Sequence, residues 1–175
     1  MDILVVSLSN ILISIINLID SLDITVLIFV IIGLIAVIVV GMNNLDSMSD
    51  EEEISPFRMG CKLPSVLTSL GLILFPVLYG INAIALSLAS IMTVVSLVAF
   101  ILNIVLRIIE YGGRGIVACV LFFCISLSLF LISSMIIPLI LPGLDAMRFI
   151  FSAIIVIILL CVIMFKTKLE RWSAY

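Results

Sequence analysis

Long apolar stretches constrain the fold of this chain more than any other feature of its sequence. They run without a charged residue over positions 3–19, 24–42, 63–106, 115–144 and 149–165. A helix needs about 20 apolar residues to cross the hydrocarbon core of a bilayer. The whole chain is 65% hydrophobic and 11% charged, whereas a soluble domain is about half apolar and about a quarter charged. The sequence therefore predicts an all-α fold, a polytopic transmembrane helix bundle that forms a single membrane domain over residues 1–175.

The stretch 63–106 is too long for a single crossing. As one helix it would extend about 66 Å, roughly twice the thickness of the hydrocarbon core. The segment "YGIN" at 79–82 offers Gly and Asn for a turn and Tyr for the headgroup region. Dividing the stretch there gives six predicted spans, at 3–19, 24–42, 63–79, 83–106, 115–138 and 149–165.

The basic residues support this division and set its orientation. With six spans, seven of the eight Lys and Arg residues fall on one side of the membrane and only Arg148 falls on the other. Short loops rich in Lys and Arg stay in the cytoplasm. The sequence therefore predicts that both termini, the acidic loop 43–62 and the tail 166–175 are cytoplasmic. The seven residues are Arg58, Lys62, Arg107, Arg114, Lys166, Lys168 and Arg171.

We expect a multi-pass protein of the cell or cytoplasmic membrane. The first apolar stretch is expected to be retained, because no basic segment precedes it and no small-residue cleavage site follows it. Its expected partners are the lipid bilayer and other membrane subunits or further copies of itself.

The residue types exclude several classes of function. Histidine is absent, which removes Ser-His dyads, histidine-ligated haem and histidine-containing metal sites. Every charged side chain falls at the end of a predicted span or in a loop, so none is available at mid-membrane for a proton relay. The net charge of −3 offers no basic surface for nucleic acid. We therefore expect no enzymatic activity, no cofactor, no metal and no nucleic-acid partner.

The four cysteines show no spacing typical of a disulfide framework or a metal site. Cys119 and Cys124 lie five positions apart, so they do not share one face of a helix. Together with Cys61 and Cys161, they are interpreted as small packing residues.

Polar residues recur along the first predicted span at spacings of three and four, which places them on one helix face. The interpretations left open are hydrogen bonding across a helix–helix interface, a polar track facing a cavity, and an amphipathic helix at the membrane surface. Against the last, the polar face lacks the Lys and Arg residues that such helices favour. The residues are Ser7, Asn10, Ser14, Asn17 and Ser21. Similar stripes comprise Ala89, Thr93, Ser96 and Asn103 in the fourth span and Cys119, Ser126 and Ser133 in the fifth.

Prolines mark two further positions within the spans. Pro76 and Pro138 are candidates for helix kinks, because proline cannot donate the backbone hydrogen bond of the preceding turn. Pro138 and Pro142 together are expected to end or bend the fifth helix. Two interpretations of these prolines remain. They have only the structural role of ending or bending a helix, or they break a helix so that its backbone carbonyl groups face an ion.

The segment Asp50, Glu51, Glu52 and Glu53 is the longest run of charge in the chain. It is interpreted either as part of a solvated connector or as a docking site for a basic partner or a divalent cation. The acids do not show the spacing of a calcium-binding loop. Ser47 and Ser49 are phosphorylation candidates in a eukaryotic host.

Three hypotheses for function remain. The leading one is a non-catalytic integral membrane subunit of a larger transport or energy-converting complex. The second is a small autonomous permease, or a substrate-capture component, for a neutral or apolar solute, with Asn10, Asn17, Pro76 and Asn103 near its site. The third is a viral or host protein that remodels membranes.

Overall fold

The computed structural model describes residues 1–22, 62–143 and 147–172, together with the isolated positions 32, 33, 35, 36 and 39, and gives side chains as far as residue 162. In the part of the chain so described, the secondary structure is entirely helical. The helices are α1 (Asp2–Asp20), α2 (Leu63–Gly80), α3 (Leu86–Tyr111), α4 (Gly113–Ile140) and α5 (Arg148–Trp172). The prediction of an all-α fold is confirmed.

Helix length and composition are those of a membrane protein. Four helices, α1 to α4, are long and apolar enough to cross a bilayer, and the described apolar part of α5 covers Arg148–Val162. Each of the predicted spans 3–19, 63–79, 83–106, 115–138 and 149–165 coincides with one of the five helices, although α3 and α5 extend beyond the predicted ends to Tyr111 and Trp172. The predicted span 24–42 lies outside the described residues except for the isolated positions, all of which are helical and exposed.

The turn predicted inside the longest apolar stretch is confirmed. Helix α2 ends at Gly80 and α3 begins at Leu86. Asn82 has a positive φ of 58°, a conformation that asparagine adopts more readily than most residues. Its N–H donates to the carbonyl of Tyr79, and the N–H of Ala83 donates to the carbonyl of Leu78. This pair of hydrogen bonds is a Schellman motif, which ends α2 and satisfies its last carbonyl groups.

The prolines within the helices do not end them. Helix α2 continues through Pro76 to Gly80, and α4 continues through Pro138 to Ile140. Pro142 lies in the exposed turn that follows α4, and the residue before it is non-helical, so the helix ends where Pro142 predicted. The helix-kink interpretation of Pro76 and Pro138 remains a prediction.

Helices α2 to α5 run alternately up and down. Lys62, just before α2, contacts Glu110 near the end of α3, so these two helices are antiparallel. Gly112, with φ of 62°, is the single residue between α3 and α4, and it folds them into a tight hairpin. The ring of Phe130 in α4 stacks on that of Phe149 in α5 at a centroid distance of 6.2 Å, which pairs the last two helices.

This topology gives the bundle two distinct ends. We call one the Lys62 end; it contains Lys62, the α3–α4 turn and the C-terminal end of α5. We call the other the Gly80 end; it contains Gly80, the C-terminal end of α4 and Arg148 at the start of α5. An apolar core lies between the two ends. Its members include Val66, Leu70, Ile73, Val77, Phe122, Phe130, Phe149, Val156 and Leu160.

Helix α1 has three specific contacts with the other helices, one near its start, one at its middle and one at its end. At its start, Ser90 donates a hydrogen bond of 2.9 Å to Asp2. At its middle, a Cβ added to Gly80 would lie 2.8 Å from Cγ1 of Ile13. At its end, Asp20 pairs with Arg148 at 3.2 Å. All three contacts are at the Gly80 end, so α1 lies across that end of the bundle. That α1 crosses a membrane, as predicted for 3–19, stays a prediction.

Candidate functional site

Buried polar side chains line the contact between α2 and α3. We call this set the polar seam; it comprises Ser65 and Ser69 of α2 and Thr93, Ser96 and Asn103 of α3, all of them buried. The stripe noted in the fourth predicted span therefore faces the interior of the bundle, since Ala89 is buried as well. Such small and polar residues let two membrane helices approach closely and bond to each other.

One hydrogen bond joins the two helices within the polar seam. The side-chain amide of Asn103 donates to the hydroxyl of Ser65 at 2.7 Å, and both side chains are buried. In membrane proteins such bonds contribute about 0.6 to 2 kcal/mol. This bond fixes the register of α2 against α3 near the Lys62 end.

A close approach lies further along the seam. A Cβ at Gly71 would overlap the hydroxyl of Ser96 and would lie 3.0 Å from its Cβ. Glycine at position 71 therefore favours this close approach of α3, because a Cβ would force the Ser96 hydroxyl to turn away and its Cβ to give way slightly.

Two hydroxyl groups in the polar seam have no hydrogen-bond partner. They belong to Ser69 and Thr93, and both are buried. Most buried serines elsewhere bond to their own helix, as Ser126 does to the carbonyl of Phe122 at 3.0 Å. An unpaired buried hydroxyl is costly. Each of these two groups could therefore bind a polar atom from another molecule.

Charged residues cluster where the polar seam reaches the Lys62 end. Glu110 accepts from Lys62 at 3.1 Å and also pairs with Arg107. Arg107 is only 3% exposed. Its backbone carbonyl packs so closely on Gly115 of α4 that its carbon would lie 2.6 Å from an added Cβ. Lys62 precedes α2, Arg107 and Glu110 lie near the end of α3, and Gly115 lies near the start of α4. The cluster therefore joins three helices at the Lys62 end.

The sequence analysis treated Arg107 only as a marker of orientation. Its position near the end of α3 agrees with that role, but its burial was not foreseen. The sequence did contain a signal for the ion pair: Glu110 follows Arg107 by three positions, which places the two side chains on the same helix face.

The polar residues predicted on the first helix face outward. Ser7, Asn10, Ser14, Asn17 and Ser21 are all exposed. The buried stripe of α1 is instead formed by Val5, Ser9, Leu12 and Ile16. None of the five predicted residues is buried, and their role at a helix–helix interface stays a prediction.

The other predicted site residues are dispersed. Pro76 is buried within α2 and Pro138 is half-buried within α4. Asn103 bonds to Ser65 toward the Lys62 end, whereas Asn10 and Asn17 lie on α1 at the Gly80 end. The structure therefore does not bring these asparagines together. The proposed docking residues Asp50, Glu51, Glu52 and Glu53 lie outside the described residues, as does Cys61.

Among the described residues, no group of three or more Cys, Asp or Glu side chains could hold a metal ion. Cys119 is buried, Cys124 is exposed and Cys161 is half-buried, and all three are free thiols. Comparison with known protein families, curated proteins and solved structures finds no match. The functional interpretation therefore depends on the geometry of this chain alone.

Proposed function

We propose that this protein is a non-catalytic integral membrane subunit that packs against other subunits of a larger transport or energy-converting complex. Helices α2 to α5 cross the bilayer, and the Lys62 end faces the cytoplasm. The sequence-predicted topology of six spans with both termini cytoplasmic would require α1 and the stretch 24–42 to cross as well. If α1 does not cross, only 24–42 is added and the N-terminus lies opposite the cytoplasm.

The observation that carries this proposal is the separation of polar from apolar surface. The polar seam lies between α2 and α3, where Ser65 and Asn103 bond to each other. The outward side of α3 is instead apolar and suits lipid or the apolar face of another subunit. Its exposed residues include Ile91, Val95, Val98, Leu102 and Ile109.

The distribution of charge supports docking at the Lys62 end. Lys62, Glu110 and the exposed Arg114 lie there, and the acidic segment 50–53 precedes Lys62 closely in the sequence. Charged surfaces of both signs favour recognition of a partner in the cytoplasm. We therefore place the cytoplasmic contact of the proposed complex at this end.

Extraction in a mild detergent, followed by identification of the chains that copurify, tests the proposal. We expect at least one other integral membrane protein in constant proportion to this chain. The proposal fails if the purified chain alone, reconstituted in liposomes, moves a solute or an ion.

The unpaired hydroxyls of Ser69 and Thr93 favour a second candidate, a small permease for a neutral solute. In that case the purified chain would transport in liposomes, and the pair Ser69→Ala and Thr93→Val would abolish uptake. Ser126→Ala is the matched control, since Ser126 is equally buried but bonds to its own helix. Equal loss of uptake in the control would indicate a packing defect and exclude the two hydroxyls as the binding site.

A further inference from the structure

We propose that α1 lies in the plane of the membrane, at the interface opposite the cytoplasm, and covers the Gly80 end of the bundle without crossing the bilayer. Its polar face meets water and headgroups, and one apolar edge meets lipid. This inference goes beyond the proposed function, because it concerns how the chain meets the membrane and holds with or without partner subunits.

The two ends of α1 are attached to the same end of the bundle. Asp2 accepts a hydrogen bond from Ser90, which lies in the second turn of α3. Asp20 pairs with Arg148, the first residue of α5. A helix of 19 residues is about 28 Å long. Were it to cross the membrane, its ends would be separated by nearly the whole hydrocarbon thickness, and these two contacts would not coexist.

The middle of α1 rests on the end of α2. A Cβ at Gly80 would lie 2.8 Å from Cγ1 of Ile13 and 3.4 Å from Cβ of Ser9. Glycine at the last position of α2 therefore allows α1 to pass directly over it. Together with the contacts to α3 and α5, this places α1 over three of the four bundle helices.

The faces of α1 match this position. Its buried stripe, Val5, Ser9, Leu12 and Ile16, points into the bundle. The exposed polar stripe lies roughly 150° around the helix from the buried one, at 3.6 residues per turn. In a crossing helix this stripe would place amides and hydroxyls in hydrocarbon, which is costly without partners. Across the end of the bundle the same groups are hydrated. The stripe consists of Ser7, Asn10, Ser14, Asn17 and Ser21.

An apolar edge runs between the two stripes. Leu4, Ile11 and Leu18 recur every seven residues and are 42%, 56% and 62% exposed. Leucine and isoleucine in such a line suit the boundary between headgroups and acyl chains, which is the environment of in-plane helices. The occupant of this edge is therefore lipid.

The absence of basic residues from α1 has a structural explanation. In-plane helices that depend on anionic lipids carry Lys and Arg on the polar face. Here the two aspartates attach the helix to the bundle itself, through Ser90 and Arg148. Attachment of both ends replaces electrostatic attraction to the lipid surface.

This position changes the count of crossings. Residue 20 is at the Gly80 end and residue 62 is at the Lys62 end, so the chain passes from one side to the other between them. The stretch 24–42 is the only apolar segment of sufficient length there. With α2 to α5 this makes five crossings. The bias of basic residues is unaltered, because residues 1–23 contain no Lys or Arg.

Thiol accessibility tests the proposal. In full-length chains with Cys61→Ser, Cys119→Ala, Cys124→Ser and Cys161→Ser, single cysteines are introduced as Asn10→Cys, Asn17→Cys or Lys62→Cys. Sealed vesicles of each orientation are treated with a membrane-impermeant maleimide. The matched control is Val98→Cys, because Val98 is exposed on the bundle at the middle of α3 and is expected to face lipid.

We expect Asn10→Cys and Asn17→Cys to be labelled from the side opposite to the one that labels Lys62→Cys, and Val98→Cys from neither side. Any other pattern for the α1 positions overturns the proposal, including protection of Asn10→Cys from both sides. Labelling in detergent establishes that each thiol is reactive in the folded chain.

A second measurement does not depend on sealed vesicles. The pairs Asp2→Cys with Ser90→Cys, and Asp20→Cys with Arg148→Cys, are treated with a short bismaleimide. Crosslinking of both pairs is expected, since α1 spans the distance between them across one end of the bundle. Crosslinking of one pair alone, or of neither, contradicts the proposal.

Discussion

Gly115 shows how a single hydrogen atom in place of a side chain determines the packing of two helices. A Cβ at this position would overlap the backbone carbonyl of Arg107. The obstacle is backbone, so it cannot turn aside as a flexible side chain would. Since Gly112 leaves only one residue between α3 and α4, the two helices have little freedom to separate.

We therefore expect Gly115→Ala to lower the free energy of unfolding by about 1 to 3 kcal/mol, the usual cost of overpacking. Unfolding in mixed micelles, followed by circular dichroism, measures the change. Gly113→Ala is the matched control, because Gly113 is exposed and has nothing within 4 Å of an added Cβ. It should be neutral or stabilising by up to about 1 kcal/mol, owing to the higher helix propensity of alanine. Equal destabilisation by both variants would contradict this explanation.

Individual residues also show where sequence interpretation succeeds and where it does not. Gly and Asn near position 80 correctly predict a turn, because their local conformational preferences act without help from the rest of the chain. The burial of Arg107 could not be predicted, because it depends on α4 folding back over α3. The exposed face of Asn10 and Asn17 was equally undetermined, since periodicity places residues on a common face without saying what that face meets.

At the scale of elements, the pairing of α2 with α3 depends on polar contacts as well as on apolar packing. Hydrocarbon surrounds a membrane helix on all sides, so burial of apolar side chains gives little net attraction between helices. Close approach at Gly71 and the bond from Asn103 to Ser65 supply specific attraction instead.

A double-mutant cycle with Ser65→Ala and Asn103→Ala isolates that bond. We expect a coupling free energy of about 0.6 to 1.7 kcal/mol, the range found for hydrogen bonds between membrane helices. Unfolding in mixed micelles supplies the four stabilities. The control cycle combines Asn103→Ala with Ser134→Ala, because Ser134 bonds to the carbonyl of Leu131 in its own helix. The two control substitutions should change the free energy of unfolding additively. A coupling free energy as large as that of the first pair would mean that the measurement reflects general destabilisation of the bundle and not the hydrogen bond.

Helices themselves were the most predictable elements. The existence and approximate ends of α1 to α5 follow from hydropathy and length, since an apolar segment in a membrane must satisfy its own backbone hydrogen bonds. Pro76 and Pro138 did not alter those ends, because α2 and α4 continue through them. The path of α1 was not predictable, because the same 19 residues are long enough either to cross a bilayer or to lie along it.

At the scale of the whole molecule, the charged residues divide between two ends. Lys62, Arg107 and Arg114 lie at one end. Arg148 lies at the other, paired with Asp20 and placed 4.7 Å above the ring of Phe149. If the Lys62 end faces the cytoplasm, as proposed, this division agrees with the usual enrichment of basic residues on that side.

The proposed orientation depends on that division and is open to direct measurement. In the cysteine-free background, we expect Arg114→Cys to be labelled only from the cytoplasm and Ala83→Cys only from the opposite side. Both positions are exposed and lie in or beside a turn of the bundle. Labelling of the two positions from the same side would contradict a crossing of the membrane by α3, because the two positions flank that helix.

The sequence by itself determined that this is an all-helical chain with the composition of a membrane protein, and it determined where most helices begin and end. Those properties depend on local hydropathy, turn residues and helix length. Only the tertiary structure decided that Thr93, Ser96 and Asn103 face inward while Asn10 and Asn17 face outward, and that α1 lies across one end of the bundle. The physical reason is that these outcomes depend on contacts between residues far apart in the chain, such as Asp20 with Arg148 and Ser65 with Asn103.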